Sequence, residues 1–333
     1  YDMIYLSHER KHSRMALTLG TRLLRMQLRL TKPIARFATI EDARRAQDQL
    51  GRMTAEILKT KVSFEQVPFD RFTACFAESN NCAEPCDQVI LYLHGGGYTA
   101  GGLDYAKGFG ALLAAQTNVS VLCIAYRLAP EHKFPAAQDD AMDAYQYLLD
   151  AGYKPEKIAV AGESAGGGLA LSLVLRLRDE GKPLPSCIVA ISPWADLTLS
   201  GSSYNNNVRL DPTLIRESLA YYVIAYAAGH EDEAYVSPVL GDFNGFPPTL
   251  LFAGSDEILL SDAKTVYKKL KKAGIESKLV VEEGMWHVYP LYGTPEGKKA
   301  LEEMSLFLRT RLGLDALPVH TDAAIADTST NPA

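Results

Sequence analysis

A serine between two glycines is the residue with the clearest capacity for chemistry. Residues 157–164 read KIAVAGES and residues 165–171 read AGGGLAL, the pattern of a strand, a Gly-x-Ser-x-Gly turn and a helix. A serine on so sharp a turn takes a strained backbone conformation, and side chains in place of Gly162 and Gly166 would clash. The pattern presents the hydroxyl at the head of a helix, whose dipole favours negative charge. Ser164 is therefore a predicted nucleophile; the alternative is a glycine-rich turn with a serine helix cap.

A second run of glycines follows another strand-like segment, in QVILYLHGGGY at residues 88–98. Acyl transfer needs backbone N–H groups aimed at an oxyanion, and consecutive glycines let the backbone approach it closely. We expect the amides of Gly95 and Gly96 to donate, with Ala165 as the third donor, although any two of the three glycines fit the pattern. His94, at the end of the strand, is expected to orient the glycine loop rather than to act as a base.

The same glycines also fit a dinucleotide-binding fingerprint, as Gly95-x-Gly97-x-x-Ala100. That fingerprint needs an acidic residue at the end of the next strand to hold the ribose. The next predicted strand, residues 119–125, is followed by a tyrosine and an arginine instead. The pattern therefore favours an oxyanion loop over a nucleotide site.

The base of a hydrolase with this turn lies downstream of the nucleophile, in the chain order serine, acid, histidine. Three histidines lie beyond Ser164. His320 belongs to a tail of small and polar residues, and His230 lies among acids in an inserted segment. His287, in GMWHVYP, follows the last strand-like run, which is where the base of such a sheet belongs. His287 is therefore the predicted general base.

The acid that orients this histidine should follow the preceding strand. Residues 250–256 read LLFAGSD, which places Asp256 directly after that strand. Asp256 is predicted to hold His287 in the correct tautomer and to stabilise the imidazolium. Glu257 and Asp262 are close rivals, and Asp262 is better suited to cap the next helix.

Apolar strand-like runs alternate with helical patterns over most of the chain. The predicted strands are residues 62–67, 71–77, 89–93, 119–125, 158–161, 187–191, 249–252 and 278–281. The predicted helices among them are residues 105–116, 136–149, 165–178, 261–272 and 295–312. This alternation is typical of the α/β class, with a mostly parallel sheet covered on both faces. Residues 193–248 lack a strand run and contain a helix predicted to start at Asp211 and Pro212, an insertion at the carboxyl ends of the strands.

The N-terminal segment is basic: its first 36 residues hold eight Lys or Arg and two acids, whereas the net charge of all 333 residues is −6. One face of a predicted helix carries Arg22, Arg25, Arg29 and Lys32. Another face carries Leu19, Leu23, Met26 and Leu30, and Pro33 ends the run. We expect a docked helix with a solvated basic face; the alternative is a helix that touches an anionic membrane surface. Residues 41–59 form a second predicted helix.

The composition is that of an ordinary globular protein, with 47% hydrophobic and 22% charged residues. The acidic balance gives no support to nucleic-acid binding. No apolar run is long enough for a membrane helix, and no signal peptide is visible. Cys123 and Cys187 are expected to be reduced core residues; Cys82 and Cys86 are close enough to pair, but an unpaired loop is expected. This cysteine usage predicts a reducing, cytoplasmic location.

Together these segments resemble the hormone-sensitive-lipase family of α/β-hydrolases, and in particular its bacterial carboxylesterases. The resemblance covers residues 88–312 and rests on five ordered motifs: HGGGY at 94–98, YRLAPEHKFPAAQDD at 126–140, GESAGG at 162–167, SPWADL at 192–197 and GSDEILLSD at 254–262. The family usually has aspartate before the nucleophile, where this chain has Glu163 with the same charge.

The resemblance implies an α/β-hydrolase fold with a helical cap. The cap would comprise residues 1–60 and 195–245, the catalytic domain residues 61–194 and 246–313, and residues 314–333 would form a flexible tail. The resemblance also implies hydrolysis of short- to medium-chain carboxylic esters through an acyl-enzyme, with no cofactor and no metal. It also makes a homodimer possible. Without a long apolar run, no stable membrane insertion is expected.

Two other functions remain open on the same residues. An identical triad would serve a hydrolase of lactones, amides or carbamates. The more remote alternative is a ligand-binding protein that has lost catalysis. Binding proteins that resemble this family lack part of the triad, whereas Ser164, Asp256 and His287 are all in place here.

Overall fold

The computed structural model describes residues 17–35, 37–82 and 87–317. Within these ranges, eight strands form one sheet. The strands are β1 Val62–Pro68, β2 Thr73–Ser79, β3 Val89–Leu93, β4 Ser120–Ala125, β5 Ile158–Glu163, β6 Cys187–Ile191, β7 Thr249–Gly254 and β8 Ser277–Glu282. The α-helices of the same ranges are α1 Leu19–Ala35, α2 Ile40–Leu58, α3 Leu103–Thr117, α4 Ala136–Asp150, α5 Ala165–Asp179, α6 Ser203–Asn206, α7 Arg216–Tyr226, α8 Leu260–Lys272 and α9 Pro295–Arg311.

The strands lie in the order β1-β2-β4-β3-β5-β6-β7-β8. The first two pairs are antiparallel, and every pair from β4 onward is parallel. Every residue of β3, β5, β6 and β7 is buried, as expected of continuous apolar strands in a sheet covered on both faces. The carboxyl ends of these parallel strands meet at one edge of the sheet, where α/β proteins form their ligand sites.

The predicted α/β architecture is confirmed, and each predicted strand overlaps an observed one. Two helix boundaries were predicted wrongly. Helix α1 continues through Pro33 to Ala35. The helix expected to begin at Asp211 begins at Arg216, because the Asp211 carboxylate accepts the amides of two residues that follow it and so stabilises a turn.

Helix α2 packs closely on α3 because both helices have a glycine at their contact. A Cβ atom on Gly51 would overlap the backbone of α3, and one on Gly108 would overlap Gly51. This close contact brings α2 to the loop that follows β3. The side chain of Gln47 approaches that loop: its Oε1 lies 2.9 Å from where a Cβ atom on Gly96 would be.

Helix α1 is docked, as expected, but its basic face is only partly solvated: Arg22 and Arg29 are exposed, whereas Arg25 and Lys32 are turned inward. The Arg25 guanidinium contacts the Asp256 carboxylate and the Gly284 carbonyl. Lys32 Nζ donates to the carbonyl of Asp211 at 2.6 Å. Charge-assisted hydrogen bonds of this kind are stronger than neutral ones, which explains why these cations are turned toward the protein. The exposed side chains of α1 include those of Leu19, Leu23, Met26 and Leu30.

The cysteines divide into two groups. Cys75, Cys123 and Cys187 are free and buried, which confirms the two predicted core thiols. Cys82 is disulfide-bonded, so the expectation of an unpaired loop is wrong for this residue. Cys86 lies outside the described residues, as does the predicted tail from residue 318 onward. Across the described ranges, no helix has the length and apolar character needed to cross a bilayer.

Candidate active site

Ser164 occupies the sharp turn between β5 and α5. Its φ is +56°, in the left-handed region that residues with side chains rarely adopt. A Cβ atom on Gly162 would overlap the carbonyl of Gly166, and one on Gly166 would overlap the carbonyl of Leu93. The two glycines therefore permit the turn, and the turn exposes the Ser164 hydroxyl at the carboxyl edge of the sheet.

His287 lies beside Ser164, although 123 positions separate the two residues in the chain. His287 Nε2 is 2.9 Å from Ser164 Oγ. The histidine reaches this position from the short loop after β8. A neutral imidazole whose Nε2 accepts a hydrogen bond from the serine hydroxyl can take its proton as the serine attacks. The predicted nucleophile and the predicted base are thus brought together.

Glu257 supplies the carboxylate on the other side of His287. Its Oε2 lies 4.0 Å from His287 Nδ1. The same oxygen accepts hydrogen bonds from the Ser192 hydroxyl at 2.6 Å and from the Gly254 amide at 3.2 Å. Among the described residues, neither His287 Nδ1 nor Glu257 Oε1 has a hydrogen-bond partner, and both are buried. Catalytic hydrogen bonds are often long before substrate binds, so this pair can close into a bond in the occupied site.

Asp256 lies next to Glu257 in the chain but contacts different groups. Its carboxylate forms an ion pair with Arg25 of α1 and accepts a hydrogen bond from the Ser255 hydroxyl at 2.9 Å. Within the described residues, these are the side chains that it contacts. The structure therefore does not bring Asp256 to His287, and the geometry favours the rival Glu257 as the orienting acid.

Arg25 connects three segments that surround the site. Besides Asp256 in the loop after β7, its guanidinium contacts the Gly284 carbonyl in the loop after β8. It also donates to the carbonyl of Leu210, in the segment between β6 and β7, at 3.2 Å. The two loops that carry Glu257 and His287 are thus tied to α1 through one side chain.

The glycine loop after β3 offers amides to an oxyanion, but the donors differ from those expected. The Gly95 amide donates to the Glu163 carboxylate at 2.5 Å, so it is already engaged. In the described part of the chain, the amides of Gly96, Gly97 and Ala165 have no acceptor. Gly96 and Gly97 also have positive φ angles, +114° and +63°. The geometry therefore retains Gly96 and Ala165 as candidate donors and favours Gly97 in place of Gly95.

Glu163 holds the glycine loop beside the nucleophile, a role that sequence analysis missed. Its Oε2 accepts a hydrogen bond from the Tyr92 hydroxyl at 2.6 Å, and the Tyr105 hydroxyl bonds to the same carboxylate. Burial raises the pKa of Glu163 to about 7. The sequence did show that Glu163 replaces the family's usual aspartate. Its contact with Gly95 could not be predicted, because it joins two segments that are distant in the chain.

Burial opposes charge on both members of the His287 and Glu257 pair. It lowers the pKa of His287 to about 4 and raises the pKa of Glu257 to about 8. His287 is therefore neutral near pH 7, as a general base must be. An imidazolium beside a carboxylate has no net charge, so each ion lowers the cost of burying the other.

The other histidines that the sequence offered lie away from this chemistry. His94 is stacked on Tyr126 with ring centres 4.2 Å apart, and its Nδ1 is 2.7 Å from the Gly95 carbonyl oxygen. These contacts support the expected role of His94 in orienting the glycine loop. His230 is exposed at the surface, and His320 lies outside the described residues.

Asp262 is buried beneath the segment between β6 and β7. It lies in the first turn of α8 rather than before it, so the expectation that it caps this helix is wrong. Its carboxylate accepts hydrogen bonds from the amides of Ala195 and Asp196 and from the Tyr204 hydroxyl. Asp262 therefore ties the inserted segment to the sheet and does not approach the serine.

Helix α7 of the inserted segment lies against the glycine loop. Tyr226 stacks on Tyr98 with ring centres 3.8 Å apart. A Cβ atom on Gly97 would lie 2.6 Å from the Tyr222 ring. A larger residue at position 97 would therefore collide with α7, and the two rings seat this helix directly over the proposed oxyanion donors.

Comparisons with known proteins agree with this arrangement. A family model described as an alpha/beta hydrolase fold matches residues 90–291. An acetyl-hydrolase of Streptomyces hygroscopicus is 38% identical over 242 residues, which cover 72% of this chain and 81% of that protein. An esterase of Acinetobacter venetianus is 37% identical over 232 residues, which cover 68% of this chain and 76% of that protein.

A crystal structure of an esterase from the bacterial hormone-sensitive lipase family superposes with a TM-score of 0.81 at 32% sequence identity. The superposition covers 90% of this chain and 100% of that one. Both the sheet that positions Ser164 and His287 and the segments that surround them are therefore shared with a solved esterase. The chain belongs to the hormone-sensitive-lipase family of α/β-hydrolases, a family of carboxylic-ester hydrolases.

Proposed function

We propose that the chain is a serine carboxylesterase that forms an acyl-enzyme on Ser164. The observation that carries this proposal is the 2.9 Å hydrogen bond between His287 Nε2 and the Ser164 hydroxyl, on a turn that two glycines permit. His287 acts as general base and then as general acid, and Glu257 is the orienting acid. The relatives named esterase and acetyl-hydrolase support the reaction class.

The reaction begins when Ser164 Oγ attacks the ester carbonyl carbon and His287 Nε2 takes the hydroxyl proton. The charge that develops on the carbonyl oxygen is stabilised by the amides of Gly96, Gly97 and Ala165. Collapse of the tetrahedral intermediate breaks the bond to the alkoxy oxygen, and His287 returns the proton to the departing alcohol. Water then attacks the acyl carbon and gives a proton to His287. The second tetrahedral intermediate collapses as His287 passes this proton to Ser164 Oγ, which breaks the bond to the acyl carbon, releases the carboxylic acid and restores the serine hydroxyl.

Glu257 serves this cycle better than Asp256 because of what holds each carboxylate. A carboxylate beside Nδ1 selects the tautomer whose Nε2 faces Ser164 and stabilises the imidazolium. The Ser192 hydroxyl and the Gly254 amide hold the Glu257 carboxylate 4.0 Å from the ring of His287. Arg25 engages the Asp256 carboxylate instead, which removes it from this role.

The proposed substrates are esters with short to medium acyl chains. Gln47 from α2 and Tyr222 from α7 both approach the glycine loop and narrow the space above it. We propose that the N-terminal helices and the insertion at residues 195–245 together act as a cap. A narrow space beneath such a cap favours small acyl groups, since a long chain needs an open channel.

A substrate panel tests the proposed function. We expect the highest kcat/KM for p-nitrophenyl acetate or butyrate, a decline for octanoate and palmitate, and no comparable rate with the matched p-nitroanilide or a lactone. A fluorophosphonate probe should label Ser164 in the native protein, as checked by peptide mass spectrometry. Faster amide or lactone hydrolysis would reassign the substrate class. Absence of both turnover and labelling would favour the ligand-binding protein.

The pH dependence of kcat/KM should report the ionisation of Glu257. Because burial raises the pKa of this carboxyl group to about 8, it is mostly protonated below that pH and ionised above it. The ionised form stabilises the imidazolium, so kcat/KM for ethyl butyrate should rise as the pH increases through about 8. Titration of the released acid at constant pH measures this rate.

Two variants test whether Glu257 is the group whose ionisation causes kcat/KM to rise near pH 8. Glu257→Gln should lose the rise near pH 8, whereas Asp256→Asn should keep it. A rise near pH 8 that persists in Glu257→Gln would show that a group other than Glu257 controls the profile.

The compartment and the assembly state remain predictions. Three buried free thiols support a reducing, cytoplasmic location, whereas the disulfide at Cys82 opposes it, since disulfides are rare there. Alkylation of thiols during cell lysis, followed by mass spectrometry, would show whether Cys82 is oxidised in the cell. Sedimentation velocity would test the homodimer that the family resemblance implies.

A further inference from the structure

The outward side of α1 is an apolar stripe. Leu19, Leu23, Met26 and Leu30 are each between 53% and 73% exposed. Their spacing of four, three and four residues places them on one line along the helix. We refer to these four residues as the outer stripe. Scattered exposed leucines are ordinary, but a continuous line over three helical turns is a feature of interaction surfaces.

The opposite side of α1 already contacts the rest of the chain. Thr21 donates to the Glu296 carboxylate at 2.7 Å, and Arg25 and Lys32 bind the loops around the active site. Leu24 and Leu28 are partly buried against the core. The helix is therefore docked through its other side, and the outer stripe points away from the rest of the described residues.

The surroundings of the outer stripe are basic. Arg22 and Arg29 are exposed on the same helix, and residues 17–35 contain no acidic residue. The first 36 residues have a formal charge of +6, so the remaining residues, in a chain of −6, carry −12. Residues 17–35 hold four cations, of which Arg25 is paired with Asp256, and the positive charge that remains on the helix complements an anionic surface. Leucines on one side with arginines beside them are typical of helices that lie in a lipid–water interface.

A second copy of the chain is a weaker candidate for the same face. A stable dimer buries about 800 Å² on each partner, about 20 to 30 residues a side. Four side chains that are already partly covered offer less than this area. Binding to a lipid surface does not require so large a contact area, because an interfacial helix inserts only its apolar face into the boundary between headgroups and acyl chains.

We propose that α1 docks this protein on anionic lipid surfaces, with the outer stripe inserted between the headgroups. Arg25, on the docked side of the same helix, contacts Asp256 and Gly284 in the loops that carry Glu257 and His287. A lipid surface bound to the outer stripe therefore lies one helix diameter, about 10 Å, from the loops that carry Glu257 and His287. Esters dissolved at such a surface become the favoured substrates; this consequence rests on the proposed function, whereas the binding itself does not.

Vesicle co-sedimentation with the full chain tests the docking. We expect binding to vesicles of phosphatidylglycerol and phosphatidylcholine in equal parts, much weaker binding to phosphatidylcholine alone, and weaker binding as salt is added. Leu23→Glu should lower the partition coefficient by about tenfold or more, because it places a charge where the proposal inserts a leucine side chain between the lipid headgroups. Leu306→Glu on α9 is the matched control, since Leu306 and Leu23 are both 53% exposed.

Each outcome has one meaning. Loss of binding in Leu23→Glu but not in Leu306→Glu supports the proposal. Equal loss in both variants, or no binding of the native chain to anionic vesicles, overturns it. So does a concentration-dependent dimer that Leu23→Glu abolishes, because the second copy would then be the occupant. Hydrolysis of soluble p-nitrophenyl butyrate should be unchanged in both variants; if it is absent from the native chain while vesicle binding remains, only the proposed function fails.

Discussion

Replacement of Ser164 by alanine should lower kcat for p-nitrophenyl butyrate by roughly 10⁶-fold, the loss that accompanies removal of a nucleophile that works as a unit with its base. Without Oγ, His287 has no hydroxyl to deprotonate and no acyl-enzyme can form. The amides of the glycine loop remain, so a residual acceleration of roughly 10³ to 10⁴ over the uncatalysed reaction is expected. Steady-state kinetics with active-site titration of the native protein measures both quantities.

The control for this variant is a serine that bonds to the backbone far from the site. Ser305 on α9 donates to the carbonyl of Gln116 at 2.8 Å, and Ser305→Ala should retain the native kcat. Thermal unfolding of both variants establishes that each is folded. A Ser164→Ala protein within tenfold of the native rate would mean that the measured hydrolysis uses another nucleophile, and the acyl-enzyme mechanism would have to be abandoned.

The fold could be predicted because its determinants are local. Each buried parallel strand is a continuous apolar run, and the turn at Ser164 needs glycine at positions 162 and 166, so strand, turn and helix could all be predicted from neighbouring residues. His287 could be predicted from its place after the last strand. These predictions required only the order of the strands and helices along the chain, and they did not depend on tertiary contacts between side chains.

The misplaced assignments all depend on how separate segments pack. Asp256 and Glu257 are neighbours in one loop, and which of them faces His287 is decided by Arg25, which comes from a helix more than 200 residues earlier. The Gly95 amide already donates to Glu163, which makes it a weaker candidate for an oxyanion donor. Amphipathic spacing showed that α1 has a basic and an apolar face but could not show which of them is docked.

Replacing each of the two neighbouring carboxylates, Glu257 and Asp256, by the corresponding side-chain amide tests which of them orients His287. Glu257→Gln should lower kcat by roughly 10⁴-fold, the cost of replacing an orienting carboxylate by an amide. The amide keeps the size of the side chain but cannot stabilise the imidazolium, and it can favour the wrong tautomer of His287. Asp256→Asn should lower kcat by no more than about tenfold, because Asp256 pairs with Arg25 rather than with His287 and the amide oxygen can still accept a hydrogen bond from the guanidinium.

Arg25→Gln is the matched control, because it breaks the same ion pair from the other side. Arg25→Gln also removes the contacts with the Gly284 and Leu210 carbonyls, so its kcat should be equal to or lower than that of Asp256→Asn. If Asp256 serves only to hold α1, the double variant should be no worse than Arg25→Gln alone. Glu257→Gln should lose activity equally in the native and the Arg25→Gln backgrounds. A loss of roughly 10⁴-fold in Asp256→Asn that Arg25→Gln does not reproduce would return Asp256 to the triad. Because both carboxylates lie in one loop, this comparison measures which of them the enzyme uses in turnover.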